Sequence, residues 1–371
     1  MLIGVPKEIK NHEYRVGLTP ESVAELVGIG QNVVVETNAG AGIGASDDDY
    51  RTAGAQIAAN AADVFASADM IVKVKEPQAV ERAMLRPGQI LYTYLHLAPD
   101  PEQTKDLLAS GAVCIAYETV TDDLGDLPLL KPMSQVAGRL SIQVGASALQ
   151  KDGGGRGVLL GGVPGTAPAK VIIIGGGDVG FHAAQMAVGL QADVTILERD
   201  NLVMERLSAH FGGRAKVLRS THAVLADLVK TADMVVGAVL IPGAAAPKLI
   251  TRDMLPTMLD GSVLVDVAID QGGCFETSEA TTHDDPTYII DGVVHYCVAN
   301  MPGAVARTST YALTAATIGH AKNIARLGWK EALRADPHLL NGLNVCDGKL
   351  TYAAVGEALD IKSVSASSLL D

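Results

Sequence analysis

Cysteine is scarce in this chain, with four in 371 residues. Cys114, Cys274, Cys297 and Cys346 lie far apart and form no Cys-x-x-Cys pair. A disulfide framework and a thiolate metal site therefore drop out, and reduced packing thiols in a cytoplasmic setting are expected. Long apolar stretches are missing too. The longest uncharged runs, such as 292–306, are broken by proline and glycine, short of the ~18 apolar residues of a spanning helix, so no membrane partner is expected. Residues 1–5 lead straight into Lys7, Glu8 and Lys10, which leaves no apolar region for a signal peptide. Clusters of Lys and Arg are absent and the formal net charge is −13, which argues against nucleic acid as a partner. No His/Cys/Asp/Glu set has metal-ligand spacing, and neither a Gly-x-Ser-x-Gly elbow nor a P-loop lysine occurs. Metal, serine-hydrolase and nucleoside triphosphate chemistry are accordingly not expected. There is no internal repeat, low-complexity tract or heptad run, which disfavours solenoids and coiled coils.

What remains is a globular balance of 48% hydrophobic and 19% charged residues, in a chain longer than one core usually serves. From residue 2 to about 120, β-branched runs alternate with amphipathic stretches: Asn32 to Glu36, Met70 to Lys75, Ile90 to His96, Ala112 to Tyr117. That rhythm predicts βαβ units. Thr19-Pro20-Glu21 reads as a cap, a first-turn proline and a first-turn acid, opening a helix that ends near Gly28. A second block follows, with buried parallel strands at Lys170 to Ile174, Asp193 to Leu197, Ala215 to Leu218, Met234 to Gly237 and Ser262 to Asp266. Residues 134–150 and 308–327 read as helices, and the tail beyond as helical or irregular, packing back on the first block. The expected architecture is α/β, two doubly wound domains with a cleft. A discontinuous substrate domain would comprise residues 1–130 and 307–371, and a nucleotide domain residues 131–306.

The strand Lys170 to Ile174 runs into Gly175-Gly176-Gly177-Asp178-Val179-Gly180, and a helical pattern follows. This is Gly-x-Gly-x-x-Gly in the context that gives it meaning. Gly175 permits the tight turn, Gly177 lets backbone N–H groups approach a pyrophosphate, and Gly180 lets the helix press on its strand. Glu198 ends the next strand about 20 residues on, where a carboxylate would accept hydrogen bonds from an adenosine ribose and repel a 2′-phosphate. NAD is therefore the expected cofactor. Arg199 beside it would favour NADP instead, and the plainer reading makes Glu198 a solvated strand-end charge.

In open α/β sheets the ligand crevice lies beyond the carboxyl ends of the strands. Four residues qualify by that rule. Lys75 and His96 close their strands, Arg15 sits in a polar loop where a guanidinium could grip a carboxylate at two points, and Asp270 follows an apolar strand running 262–269. Each has a bland alternative: surface charges for Arg15 and Lys75, a core histidine for His96, a turn residue for Asp270.

The segments Gly4-Val5-Pro6-Lys7-Glu8, Glu13-Tyr14-Arg15-Val16, Lys73-Val74-Lys75-Glu76-Pro77, Tyr94-Leu95-His96-Leu97, Pro132-Met133-Ser134, Ile269-Asp270-Gln271-Gly272-Gly273 and Ala299-Asn300-Met301-Pro302 together resemble the bacterial alanine dehydrogenases over nearly the whole chain. The resemblance implies two Rossmann-like domains joined by long helices. It also implies reversible oxidation of L-alanine by NAD and water to pyruvate, ammonium and NADH. By the same resemblance Arg15 and Lys75 hold the substrate carboxylate, His96 is the acid/base, Asp270 assists proton transfer, and Asn300 lines the site. Ser134, Asp178, Val179, Ser220, Val239, Val267, Asp270, Val298, Asn300 and Met301 join Gly175, Gly177, Gly180 and Glu198 around the cofactor. A cytoplasmic homohexamer is implied as well. Two departures stand out: Glu198 where close relatives often have Asp, and Val203 where some carry a basic residue. Leu327 stands where some relatives place a metal-binding histidine, so no metal is expected.

Three other readings share parts of this pattern. The NAD-binding component of a proton-translocating transhydrogenase has the same two-domain plan and a similar N-terminal Arg-Val segment. A non-catalytic NAD-binding scaffold would show the glycine motif alone. A dehydrogenase for glycine or a 2-hydroxy acid differs by little, since one methyl discriminates by only ~1–3 kcal/mol.

Overall fold

The structure is a computed structural model that describes residues 1–239 and 246–370. It divides into two compact units, residues 1–133 with 303–371, and residues 134–302. The first unit begins with β1 (Leu2–Val5), β2 (Asn32–Glu36), β3 (Gln56–Ala58), β4 (Met70–Val72), β5 (Ile90–Thr93) and β6 (Val113–Ala116). The second holds β7 (Lys170–Ile174), β8 (Asp193–Glu198), β9 (Ala215–Arg219), β10 (Met234–Gly237), β11 (Val263–Asp266), β12 (Thr287–Ile290) and β13 (Val293–Tyr296). The tail returns to the first unit and adds β14 (Leu343–Cys346) and β15 (Lys349–Leu350).

The first sheet has the order β15-β14-β6-β5-β4-β1-β2-β3, and the second β12-β13-β11-β10-β7-β8-β9. Neighbours from β1 to β6 and from β7 to β11 and β13 pair in parallel, while β12, β14 and β15 pair antiparallel. Stripped of those edges, each sheet reads 3-2-1-4-5-6. The order reverses between β1 and β4 in one unit and between β7 and β10 in the other. At such a reversal neighbouring connections leave towards opposite faces and open a crevice at the carboxyl ends. The strands are apolar because helices cover both faces: Ile71, Leu91 and Cys114 pack with Phe65 and Leu107 in the first unit, and Ile172, Val235 and Leu264 with Leu225 and Phe275 in the second.

The helix Pro20–Gly28 starts where its capping residues put it, with the Thr19 hydroxyl accepting the Ser22 N–H. Three expectations need correction. The strands expected to reach Lys75 and His96 stop at Val72 and Thr93. Lys73 and Tyr94 N–H still bond across, to the Tyr92 and Val74 carbonyls, but the donors after them go to carboxylates. Val74 N–H donates to Glu8 at 2.6 Å and Lys75 N–H at 3.4 Å, and Leu95 and His96 N–H donate to Glu118 at 3.1 and 2.6 Å. The strand before Asp270 likewise ends at Asp266, and Asp270 lies in the single turn Ile269–Gln271. Finally, the tail is not merely helical or irregular: β14 extends the first sheet along β6, with Leu343 opposite Ile115.

Among the described residues all four cysteines are buried free thiols. Also among them, no helix is long and apolar enough to cross a membrane.

Candidate active site

In the first unit the connections after β1, β4 and β5, three adjacent strands, deliver Arg15, Lys75 and His96. Arg15 is 2% and Lys75 8% exposed, which excludes the surface-charge alternative for both. Glu13 grips the Arg15 guanidinium at two points, Nε to Oε1 at 2.7 Å and Nη2 to Oε2 at 2.5 Å, and Nη1 meets the Met133 sulfur at 3.1 Å. Burial opposes the guanidinium charge, but the Glu13 hydrogen bonds and charge outweigh it and raise the Arg15 pKa above its ordinary value. The fork is thus fixed in plane and permanently cationic.

Lys75 is placed by a deeper cluster. The fully buried Lys73 ammonium donates to Glu8 at 3.0 Å and to Glu81 at 2.7 Å. Burial pushes the Glu8 carboxyl up; Lys73 opposes that rise, while Glu13 and Glu81 add to it. Desolvation opposes the Lys73 charge as well, but its two carboxylate partners overcome it and raise its pKa. Glu8 also receives the Val74 and Lys75 N–H groups, so one carboxylate joins the buried charge cluster to the turn that carries Lys75. The Thr93 hydroxyl donates to the Lys75 carbonyl at 3.0 Å from the other side.

His96 is not a core histidine, for its side chain is 40% exposed. Its backbone takes the left-handed φ of 50°, uncommon outside glycine, and the Glu118 carboxylate beneath it takes two successive N–H groups. The ring stacks on Tyr94 with 5.7 Å between centroids and planes 8° apart. Tyr94 is itself buried, with its hydroxyl bonded to the Leu129 carbonyl at 2.6 Å. Glu76 ties the group together: burial works against its charge, yet Lys75, Lys10 and His96 together hold its pKa below the usual carboxylate value. Two cations and an imidazole therefore share one neighbourhood, suited to binding a small carboxylate and moving a proton beside it.

In the second unit the expected residues line one edge of the sheet. Gly175 follows β7, Glu198 ends β8, Ser220 follows β9, Val239 β10, Val267 β11 and Val298 β13. Gly175 has φ of 100°, and a Cβ on Gly180 would lie 1.8 Å from the Gly175 carbonyl oxygen, so only glycine lets the helix Asp178–Gly189 start against β7. That helix has Gly177 at its cap and no capping side chain, and a Cβ on Gly177 would meet nothing within 4 Å. A first turn of N–H groups, from Asp178 and Val179 onward, fronted by open space suits a pyrophosphate.

Glu198 accepts N–H groups from Gly176, Arg199 and Asp200 at 2.7, 2.5 and 3.0 Å. Its carboxylate is thereby locked beside the glycine loop. Ser220 N–H holds the Glu198 carbonyl at 2.7 Å, and Val239 abuts the Gly175 turn. Val267 N–H donates to the Gly237 carbonyl at 3.0 Å. Asp270 is exposed and its Oδ1 accepts the Asn300 N–H at 3.4 Å, with Asn300 at φ of 59°. Met301 is buried and Ser134 half-buried in the helix Lys131–Ala148. Among the described residues no group of three or more His, Cys, Asp or Glu is placed to hold a metal ion.

Sequence reading missed Glu8, Glu13, Glu118 and Tyr94, the groups that hold the site residues still. Glu118 had a signal: it follows β6 as His96 follows β5, and the strand-end rule applied once more would have found it.

Residues 4–137 match the family model for the alanine dehydrogenase/PNT N-terminal domain, and residues 141–353 the one for the C-terminal domain. An alanine dehydrogenase of Halomonas elongata is 60% identical over 370 residues, covering 100% of both chains. A solved L-alanine dehydrogenase superimposes with a TM-score of 0.94 at 50% identity, covering 97% of this chain and 99% of that one. A solved transhydrogenase from Sinorhizobium meliloti reaches 0.81 at 26% identity, covering 95% and 100%.

Proposed function

The chain belongs to the alanine dehydrogenase/PNT family, and with that as premise we propose how its residues carry the reaction. The activity is NAD-dependent alanine dehydrogenation: L-alanine, NAD and water give pyruvate, ammonium and NADH, reversibly. Bound NAD supplies the hydride acceptor; the rest falls to side chains.

In this reading Arg15, its plane set by Glu13, takes the substrate carboxylate at two points, and Lys75 shares that anion and polarises the adjoining oxygen. Fixing the carboxylate fixes the α-carbon, a positioning effect that reaches ~7 kcal/mol in well-oriented reactions. The α-hydrogen leaves as hydride, and water then adds to the resulting imine carbon. His96 takes the proton from the hydroxyl of that carbinolamine as the C–N bond breaks, which leaves the pyruvate carbonyl and releases ammonia. In the reverse direction the same imidazole donates. Asp270 assists proton transfer and, with Asn300, orients groups at the nicotinamide. The observation that carries this is the pair of buried cations in the connections after β1 and β4, with a half-exposed imidazole in the connection after the adjacent β5. A homohexamer in the cytoplasm completes the proposal, supported by the family resemblance and by four buried reduced thiols.

NADH formation with a panel of L-amino acids tests the assignment. Alanine should be oxidised with no second protein present, and Asp270→Asn should slow turnover by about 100-fold. Inert alanine would reject the substrate, and dependence on a membrane partner would favour the transhydrogenase reading. A second measurement addresses cofactor choice. Glu198→Gln removes the charge facing the ribose side, so the preference for NAD over NADP in kcat/KM should narrow by about tenfold, the worth of one hydrogen bond to a charged group. An unchanged ratio would show that Glu198 serves only the glycine loop.

A further inference from the structure

Asp266 ends β11 with its side chain wholly buried, and among the described residues its hydrogen-bond donors are backbone N–H groups, a hydroxyl and a thiol. Its carboxylate collects donors from both sides of the turn that carries Asp270. Ala268 N–H reaches Oδ1 at 3.0 Å, and Cys274 N–H, Phe275 N–H and the Ser278 hydroxyl reach Oδ2 at 2.8, 3.3 and 2.5 Å. The Cys274 thiol lies 3.5 Å from Oδ1; burial, then Asp266 itself, pushes that thiol well up, so it stays protonated and donates. The chain leaves the carboxylate at Ala268 and returns to it at Cys274. Between them lie Ile269 to Gly273, which close on themselves through Gln271 and Gly273 N–H to the Ala268 carbonyl and Gly272 N–H to that of Ile269. Gly273 is required at the return, since a Cβ there would sit 2.7 Å from Asp266 Oδ2.

A buried carboxylate gathering five donors is a stiff anchor, because each donor released would leave an unpaired polar group in the core. We infer that Asp266 is the positioning residue of Asp270: it fixes both ends of the five-residue excursion and so sets where the Asp270 carboxylate stands during turnover. This rests on the proposed role of Asp270. In Asp266→Asn one oxygen becomes an NH2 group facing N–H donors, so the excursion must shift, and misplacement by about 1 Å costs up to about 100-fold in rate.

The test is a cycle of Asp266→Asn, Asp270→Asn and the double variant in the full-length enzyme. It reads kcat for alanine, NADH affinity by fluorescence, and amide hydrogen exchange over residues 267–275. Asp266→Asn should lower kcat by about 30- to 100-fold with NADH affinity retained and faster exchange at Ala268, Cys274 and Phe275. On the Asp270→Asn background it should change kcat by about twofold or less, because an effect that passes through Asp270 is not additive with removal of Asp270. Multiplicative losses in the double variant would overturn the inference, since a merely structural role acts whether or not Asp270 is present. Asp270→Asn at the wild-type rate would sink the reading of Asp270 and this inference with it, a distinguishable result. Should Asp266→Asn not fold, Ser278→Ala removes a single donor and keeps the carboxylate. A several-fold lower kcat that vanishes on the Asp270→Asn background supports the inference, and wild-type kcat in a folded Ser278→Ala enzyme overturns it.

Discussion

His96→Ala should lower kcat for alanine oxidation by about 10²–10⁴-fold, the range for removal of a positioned general acid–base group, while leaving NADH binding intact. The structure makes this a clean deletion. The left-handed backbone at residue 96 is held by the Glu118 carboxylate through the N–H groups of Leu95 and His96, and those bonds do not involve the ring. Tyr94, which sets the ring plane, is anchored separately by the Leu129 carbonyl. The substitution therefore removes an imidazole and leaves its mounting. Added imidazole should restore part of the rate, since the side chain is 40% exposed and a small base has access. A variant at the wild-type rate, or one unresponsive to imidazole but damaged in NADH binding, would show that His96 supports the fold and moves no proton.

Lys73→Met should destabilise the first unit by about 3–5 kcal/mol, because it strands two buried carboxylates without their cation. Glu8 and Glu81 are 6% and 1% exposed, and neither can turn to water without giving up backbone partners, Val74 and Lys75 for one and Gln78 for the other. Urea unfolding followed by tryptophan fluorescence measures the loss, since Trp329, the sole tryptophan, lies in that unit. Replacing all three members by Lys73→Met, Glu8→Gln and Glu81→Gln should recover much of it, because a whole buried ionic cluster is often near neutral against uncharged groups. The recovered protein should still turn over slowly, with Glu8 no longer anionic beneath the Lys75 turn. A loss under about 1 kcal/mol for Lys73→Met, the scale of an exposed pair, would show that water reaches the cluster.

Much of this was legible beforehand, and the reason lies in periodicity. Lys170–Ile174 and Met234–Gly237 were read with their observed bounds, because central strands buried on both faces are short apolar runs with sharp ends. The helix after Thr19 was equally plain, its cap and proline being local signals. Strand ends near the site were overread because Val74 and Leu95 are as buried as strand residues while donating to carboxylates. Periodicity reports burial and cannot tell which acceptor a backbone N–H has found. The tail strand β14 was hidden for another reason. Its partner β6 is more than 200 residues away, and Asn344 in its middle is a buried polar residue bonded to Thr119, which breaks the apolar run. The β12–β13 hairpin had a visible cue in Asp291-Gly292, both at positive φ, the pairing a tight reversal prefers. The cations and the imidazole were found because strand ends single them out. The acids that hold them, Glu8, Glu13 and Glu118, look like any solvated charge until their partners are seen.

The late return of β14 has a consequence for how the protein is made. Residues 134–302 are contiguous and can finish folding as soon as they clear the ribosome, whereas the first sheet waits for Leu343–Cys346 to cover β6. At about 5–20 residues per second the nascent chain holds that strand's outer edge unpaired for some tens of seconds. An apolar edge left open for so long invites pairing with other chains, a hazard that the folded protein, with β14 in place along β6, no longer carries at that strand.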